Sequence, residues 1–424
     1  MFEKRKIQAI IRLLESDKKE DRRSASGKLR SLAKKGISAD GEITLMRAAA
    51  QRWPDRGRYD DPCEELLTTF FDRLRPETAQ LLVELFDKFT EGGRSIAVNC
   101  LARQSDPFCT KAYLEVVRRY ARKDLIEDLW TAVFKLQSTQ TASALFPALL
   151  DYLDVPTIRR DVEYLVFEAL AKGLLAKAVV APYIPQILSH LDEVYAALAP
   201  LQQPTGVRWM WTEQYRKFRS NAALLLDLAG YLDAGAVAST LERWTGLTDP
   251  VLLLYASQSL LRLDRSVDPR ILDLCASFPE SRNRLFDFLE RSERKSLFPT
   301  KYRKQRYLAE SDMVRWLTFG TELDTVPDEI ELMKVIETND EEDGWMDYYL
   351  FRFRTFEPHW SAKKGWQAGI SGPFKRSERP STNHHGATFS CFEPWDSKSP
   401  MEHFEEIVAV TSKYWERMAA EEEE

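Results

Sequence analysis

The chain is poor in the residues that staple a fold or hold a metal: its 424 residues include five cysteines and five histidines. Cys63, Cys100, Cys109, Cys275 and Cys391 are odd in number, widely spaced and never arranged as CxxC, which excludes a disulfide framework and points to reduced, mostly buried thiols. No run of about eighteen apolar residues occurs, which excludes a membrane-spanning helix. The first residues, MFEKRKIQAIIRLLESDKK, have only a short apolar patch from Ile7 to Leu14, broken by Gln8 and Arg12, with no small-residue cleavage site. They do not read as a secretory signal, so the cytoplasm is the expected compartment.

Catalytic signatures are missing as well. Gly27-Lys28 is followed by Leu29 and lacks the upstream glycine of a phosphate-binding loop, so it reads as helix surface. Gly369-Ile370-Ser371-Gly372 lacks the G-x-S-x-G spacing that projects a nucleophile from a sharp turn. It reads as a strand with close backbone packing. Four of the five histidines, His359, His384, His385 and His403, lie near Cys391. Their spacing matches no zinc pattern, so they are expected at the surface, with no metal and no cofactor.

A net charge of −6 argues against a surface built wholly for nucleic acid, although basic residues cluster from Met1 to Lys35 and from Arg282 to Arg306. Both clusters are expected to be solvated outer helix faces.

With 44% hydrophobic and 30% charged residues, the chain has enough apolar surface to fold. It is too long for a single core, which calls for two units or an array with a cap. From residue 5 to about 317 apolar residues recur at three and four spacing, as in Leu66, Leu67, Phe70, Phe71 and Leu74. That is helical periodicity. Turn residues interrupt it every fifteen to twenty positions, and Ala181 to Leu201 is a longer, Pro-punctuated stretch. The segment from Pro204 to Trp211 reads as an exposed or inserted loop.

Asp-Pro recurs at Asp61-Pro62, Asp106-Pro107, Asp249-Pro250 and Asp268-Pro269, each before an apolar-periodic run. Aspartate caps free backbone donors, and proline at the first helical position gives up an amide that has no partner there. With Asp21-Arg22-Arg23 through Ala25, Leu29 and Leu32, and with Arg219 to Leu228, these segments resemble HEAT and armadillo-like repeats. The resemblance covers about residues 5–295, with loose motifs. It implies a mostly α fold, a right-handed α-solenoid of irregular HEAT-like helix pairs over 1–317, whose concave surface holds a partner.

The texture changes after about Thr318. Glu329 to Glu337 and Tyr348 to Phe356 alternate with period two around an acidic turn from Asn339 to Gly344, which reads as a β-hairpin. Gln367 to Phe374 and Ala387 to Phe392 are further strands, and His403 to Met418 a closing helix. Residues 318–424 are therefore expected to form a small α+β domain of about four strands and one helix. The wording of the junction at Met313-Val314-Arg315-Trp316-Leu317 and of the tail is similar to that of bacterial HEAT-repeat proteins without known activity.

Candidate binding residues in the last domain are Arg352 and Arg354, which share a sheet face and are expected to pair with Glu331 or Glu337, together with His359, Trp360, Trp366, His384, His385 and Trp395. In the N-terminal cluster they are Arg22, Arg23, Lys28 and Arg30. No convergent acid, base and nucleophile set is present, so a non-catalytic scaffold or adaptor for a protein partner is expected. One alternative is a nucleic-acid-binding cradle of the kind HEAT-like DNA alkylpurine glycosylases form. The other is an enzyme with its site in the last domain.

Overall fold

The computed structural model describes all residues except 1, 55, 57–59, 204–205, 320–324, 341–343, 357–364, 386–388 and 424. It is mostly helical and ends in a four-stranded antiparallel sheet. The chain divides into two compact units, Met1–Val194 with Asp227–Val237, and Tyr195–Leu226 with Ala238–Glu424. No helix among the described residues is long and apolar enough to cross a membrane.

In the first unit, many of the short helices pack on the next or the next but one. Ala39–Ala49 lies against Pro62–Thr68 and Pro76–Leu85, and Glu91–Arg103 against Pro62–Thr68 and Pro107–Tyr120. Their apolar stripes face inward: Leu66, Leu67, Phe70 and Leu74 are buried, as are Cys63, Cys100 and Cys109. The aspartates before proline do not all act alike. Asp61 accepts from the Cys63 amide at 2.8 Å, Asp249 from Val251 at 2.8 Å and Asp268 from Arg270 at 2.9 Å. The Asp106 side chain, expected to cap in the same way, makes no such bond.

The second unit is organised by a buried ion cluster. Arg219, on helix Glu213–Ala229, donates to Asp249 at 2.7 and 3.0 Å and to Glu280 at 3.0 Å through both terminal nitrogens. Tyr215 adds a bond to Asp249 at 3.0 Å, and Trp211 lies over the guanidinium. Asp249 and Glu280 stand at the starts of helices Pro250–Arg262 and Pro279–Arg291, so one cation ties two helix N-termini to a third helix. The Arg219 pKa is held above the ordinary value: burial would lower it, but the two carboxylates outweigh that.

The same cluster bears on the segment from Pro204 to Trp211, read as an exposed or inserted loop: among its described residues Gly206 and Arg208 are exposed, but its end is packed inward. Trp209 and Met210 are buried in a short 3₁₀ turn, with Trp209 edge-on to Tyr215 at 4.8 Å. Burying this indole and thioether shields the ion cluster from water.

The basic stretch from Arg282 to Arg306 is not a uniformly solvated outer face either. Arg282 is buried and donates to Ala276 O, Ser277 O and Tyr307 O, and to Glu310. Arg294 reaches Leu261 O and Asp264, and Arg303 reaches Lys295 O and Phe298 O. These arginines are thus committed largely to backbone carbonyls near the ends of the helices. Ser311 then donates to Pro279 O and accepts from the Asn283 amide, which seats helix Gln305–Phe319 on Pro279–Arg291.

Helix Gln305–Phe319 carries the sheet. Strands β1 (Glu329–Asp340), β2 (Gly344–Arg354), β3 (Gln367–Lys375) and β4 (Phe389–Pro394) pair antiparallel in the order β1-β2-β3-β4. These are the four expected strands, and among the described residues no strand precedes them. One face packs Tyr349, Phe351, Phe353 and Phe374 on Ala309, Met313 and Leu317. The other packs Leu350, Ala368 and Ile370 on Phe404 and Ile407 of the closing helix Pro400–Glu423. Gly369 allows the close approach of helix and sheet, since a Cβ there would lie 2.2 Å from the Met313 methyl.

Arg219→Ala should lower unfolding stability by about 3–5 kcal/mol, because two buried carboxylates lose the cation they share. Urea denaturation of the variant against wild type checks this, with the loss read from the midpoint.

Candidate functional site

The structure scatters the residues singled out in the sequence. Arg352 pairs with Glu331 at 2.6 Å, as expected, but Arg354 pairs with Glu329, its direct cross-strand neighbour, whereas Glu337 lies opposite Asp347 at the far end of the hairpin and pairs with Arg376. Both arginines lie over the Trp366 ring, at 4.4 and 4.6 Å. Their charges are matched within the hairpin, so this is a closed ladder and not an open anion surface. His359 and Trp360 lie outside the described residues. Trp395 stacks on His403 at 4.3 Å, and His403 is fully buried, which corrects its placement at the surface. Its ring fills the space between the closing helix and β4.

His384 lies 3.6 Å from Asp312, and His385 lies 3.5 Å from Glu378, so the two neighbours point to different carboxylates. Ser371 donates to the other oxygen of Asp312 at 2.8 Å. Serine, aspartate and histidine are thus together in the wrong order for acyl transfer, since the hydroxyl proton is already held by the carboxylate and not by the imidazole. Among the described residues no group of three or more His, Cys, Asp or Glu side chains could hold a metal ion.

In the N-terminal cluster, Arg22 makes a two-pronged contact with Asp60, from Nε at 2.8 Å and from Nη2 at 2.5 Å, while Arg23, Lys28 and Arg30 are exposed along helix Lys19–Lys35. The hollow beside Arg22 and Arg23 is also lined by Asp60, Asp61, Glu64 and Glu65. A polyanion entering it would meet four carboxylates.

A different site in the first unit was not legible in the sequence. Two loops, each running into a helix that starts with proline, enclose a cleft of about 570 Å³ lined by Phe71, Arg73, Arg75, Arg103, Asp106 and Phe108, among others. The Gln104 side chain fixes both loops. Its carbonyl accepts from the Leu74 amide at 2.7 Å, and its amide donates to Phe70 O and Cys100 O at 3.1 Å. Arg75 is committed to the buried Glu42. Arg73 and Arg103 are exposed and have no carboxylate partner among the described residues.

The Arg103 guanidinium instead lies between two rings, 5.1 Å from Phe71 and 5.6 Å from Phe134. Trp130 continues the row 6.3 Å beyond Phe134, and these two aromatics are 45% and 44% exposed. A cation held flat against apolar rings, with its charge unspent, is the composition of an interaction anchor. Here Asp72 and Asp106 stand beside it, so the cleft offers both signs of charge.

Behind the cleft, Lys135 is 2% exposed and donates to Gln104 O at 2.5 Å and to Thr110 Oγ1 at 3.3 Å. No carboxylate among the described residues forms an ion pair with it, and burial pulls its pKa down to about 8. The same burial pushes the neighbouring Cys109 thiol up to about 11.

Comparison with protein-family models, curated proteins and solved structures finds no match. The site is therefore read from its chemistry alone.

Lys135 sets a pH signature. Between pH about 8 and 10.5 the unfolded chain holds this proton and the folded chain does not, so its contribution to stability rises with pH by about 2–3 kcal/mol across that window and is flat below it. Urea unfolding of wild type and Lys135→Met from pH 7 to 10.5 should show a difference that shifts in favour of wild type as pH rises. A pH-independent difference would place the lysine in contact with solvent.

Proposed function

We propose that the chain is a non-catalytic scaffold or adaptor of helical-repeat type that holds a protein partner through its first unit. The observation that carries this reading is Arg103, an exposed arginine without a carboxylate partner among the described residues, framed by Phe71 and Phe134 at the rim of a cleft whose loops are pinned by Gln104. Packing of many first-unit helices on the next or the next but one supports a HEAT-like array, in which a partner lies along the concave side. The mixed charge of the cleft suits a peptide, which carries amide donors and side chains of both signs. It suits a phosphate backbone less well, since Asp72 and Asp106 would repel it.

The test is capture from native cell extract with the full chain, with and without nuclease, beside the double variant Arg103→Glu/Phe134→Ser. A protein retained by wild type after nuclease and lost with the variant is expected. Replacing Arg22, Arg23, Lys28 and Arg30 with Gln should leave that retention nearly unchanged, since exposed charges contribute only about 0–1 kcal/mol each. Tight duplex binding by wild type, with a salt slope that flattens by about one unit for each of these four changes, would replace the scaffold reading with a nucleic-acid one.

A further inference from the structure

The junction segment Met313-Val314-Arg315-Trp316-Leu317 contains an arginine that the fold leaves unused. Arg315 is half-buried on helix Gln305–Phe319; its Nε is shielded from water, and its guanidinium forms no hydrogen bond or ion pair among the described residues. Beside it, on helix Pro279–Arg291, Arg284 donates to the Tyr255 hydroxyl at 2.6 Å and lies over the rings of Tyr255 at 5.9 Å and Phe319 at 5.8 Å. Arg284 also has no carboxylate partner among the described residues. Burial, and then the neighbouring Arg284, hold the Arg315 pKa below the ordinary arginine value.

The two carboxylates within electrostatic reach of Arg315 are turned to other work. Asp287 accepts from the Thr382 hydroxyl and stands 3.9 Å from Arg291. Asp312 accepts from Ser371 at 2.8 Å and faces His384 at 3.6 Å. Arg284 lies over Phe319, one turn from Arg315 on the same helix, so two like charges share this face with one buried donor unspent, an arrangement that costs free energy and that a bound anion would relieve. The fork of a guanidinium fits the paired oxygens of phosphate or carboxylate. Phe319, 62% exposed, and Tyr255 supply flat surface next to the charge.

We infer that Arg284 and Arg315 form a binding site for the oxyanion of a small ligand, a phosphate or carboxylate borne on an aromatic group. The site belongs to the second unit and does not depend on the partner-binding reading of the first.

Calorimetric titration of the full chain with phenyl phosphate, benzoate and inorganic phosphate tests it, using wild type, Arg315→Met and Arg284→Gln. Phenyl phosphate or benzoate should bind wild type, the better of the two naming the anion, and should bind more tightly than inorganic phosphate. Each variant should weaken that binding at least tenfold. Without ligand, Arg315→Met should melt at a higher temperature than wild type, because a repelled, unsatisfied cation has been removed. A merely structural arginine would give a lower melting temperature. If neither aromatic anion binds wild type, or if both variants bind as wild type does, the site does not exist. Should Arg315→Met fail to fold, the titration of Arg284→Gln decides alone.

Discussion

The second unit depends on the pairing of one buried arginine with two buried carboxylates. Arg219 holds Asp249 and Glu280 at once, and each carboxylate stands at the start of a helix. Neither charge could be buried alone, so the three helices are positioned together or not at all. The consequences run outward: helix Pro279–Arg291 seats Gln305–Phe319 through Ser311 and Asn283, and that helix carries the sheet on Met313 and its neighbours. The C-terminal sheet is therefore anchored through the helices before it, and the junction at residue 318 is a change of secondary structure within one compact unit.

A second constraint is how the arginines are spent. Arg282, Arg294 and Arg303 satisfy backbone carbonyls, while Arg352 and Arg354 pair with glutamates across the hairpin and lie on Trp366. Such residues lend the surface little free charge, whatever their density in the sequence. Against that background Arg103 and Arg315 stand out, the first because aromatic rings hold it without neutralising it, the second because its neighbouring carboxylates are engaged elsewhere. Unspent cations in built surroundings, more than total charge, mark where anionic groups of a partner or ligand are recognised.

The cleft of the first unit is preorganised by polar bonds that have no exposure of their own. Gln104 links two loops, and Lys135 is sacrificed behind it as a buried cation to hold the Gln104 carbonyl. Arg103 follows directly before Gln104 in the chain, so fixing the amide also fixes the start of the guanidinium's reach. Binding then pays little ordering cost at this rim.

What the sequence by itself determined was local. Three-and-four spacing placed the helices, period-two alternation placed β1 and β2, Asp-Pro placed helix starts, and the glycine at 369 marked a close approach, because each of these signals rests on neighbours within a few positions. Three of the four Asp-Pro aspartates cap as local chemistry demands; the fourth, Asp106, does not, since its side chain lines the cleft. Apart from the Arg352–Glu331 pair, which the hairpin's alternation indicated, which charge meets which was decided in tertiary structure. Asp60 lies 38 positions from Arg22, and Glu280 lies 61 from Arg219, and no periodicity reports such pairs. Histidine 403 was misplaced for the same reason: stacking on Trp395 buries a residue that composition alone assigns to the surface. A cation's role depends on the distance to its nearest carboxylate, and folding alone sets that distance.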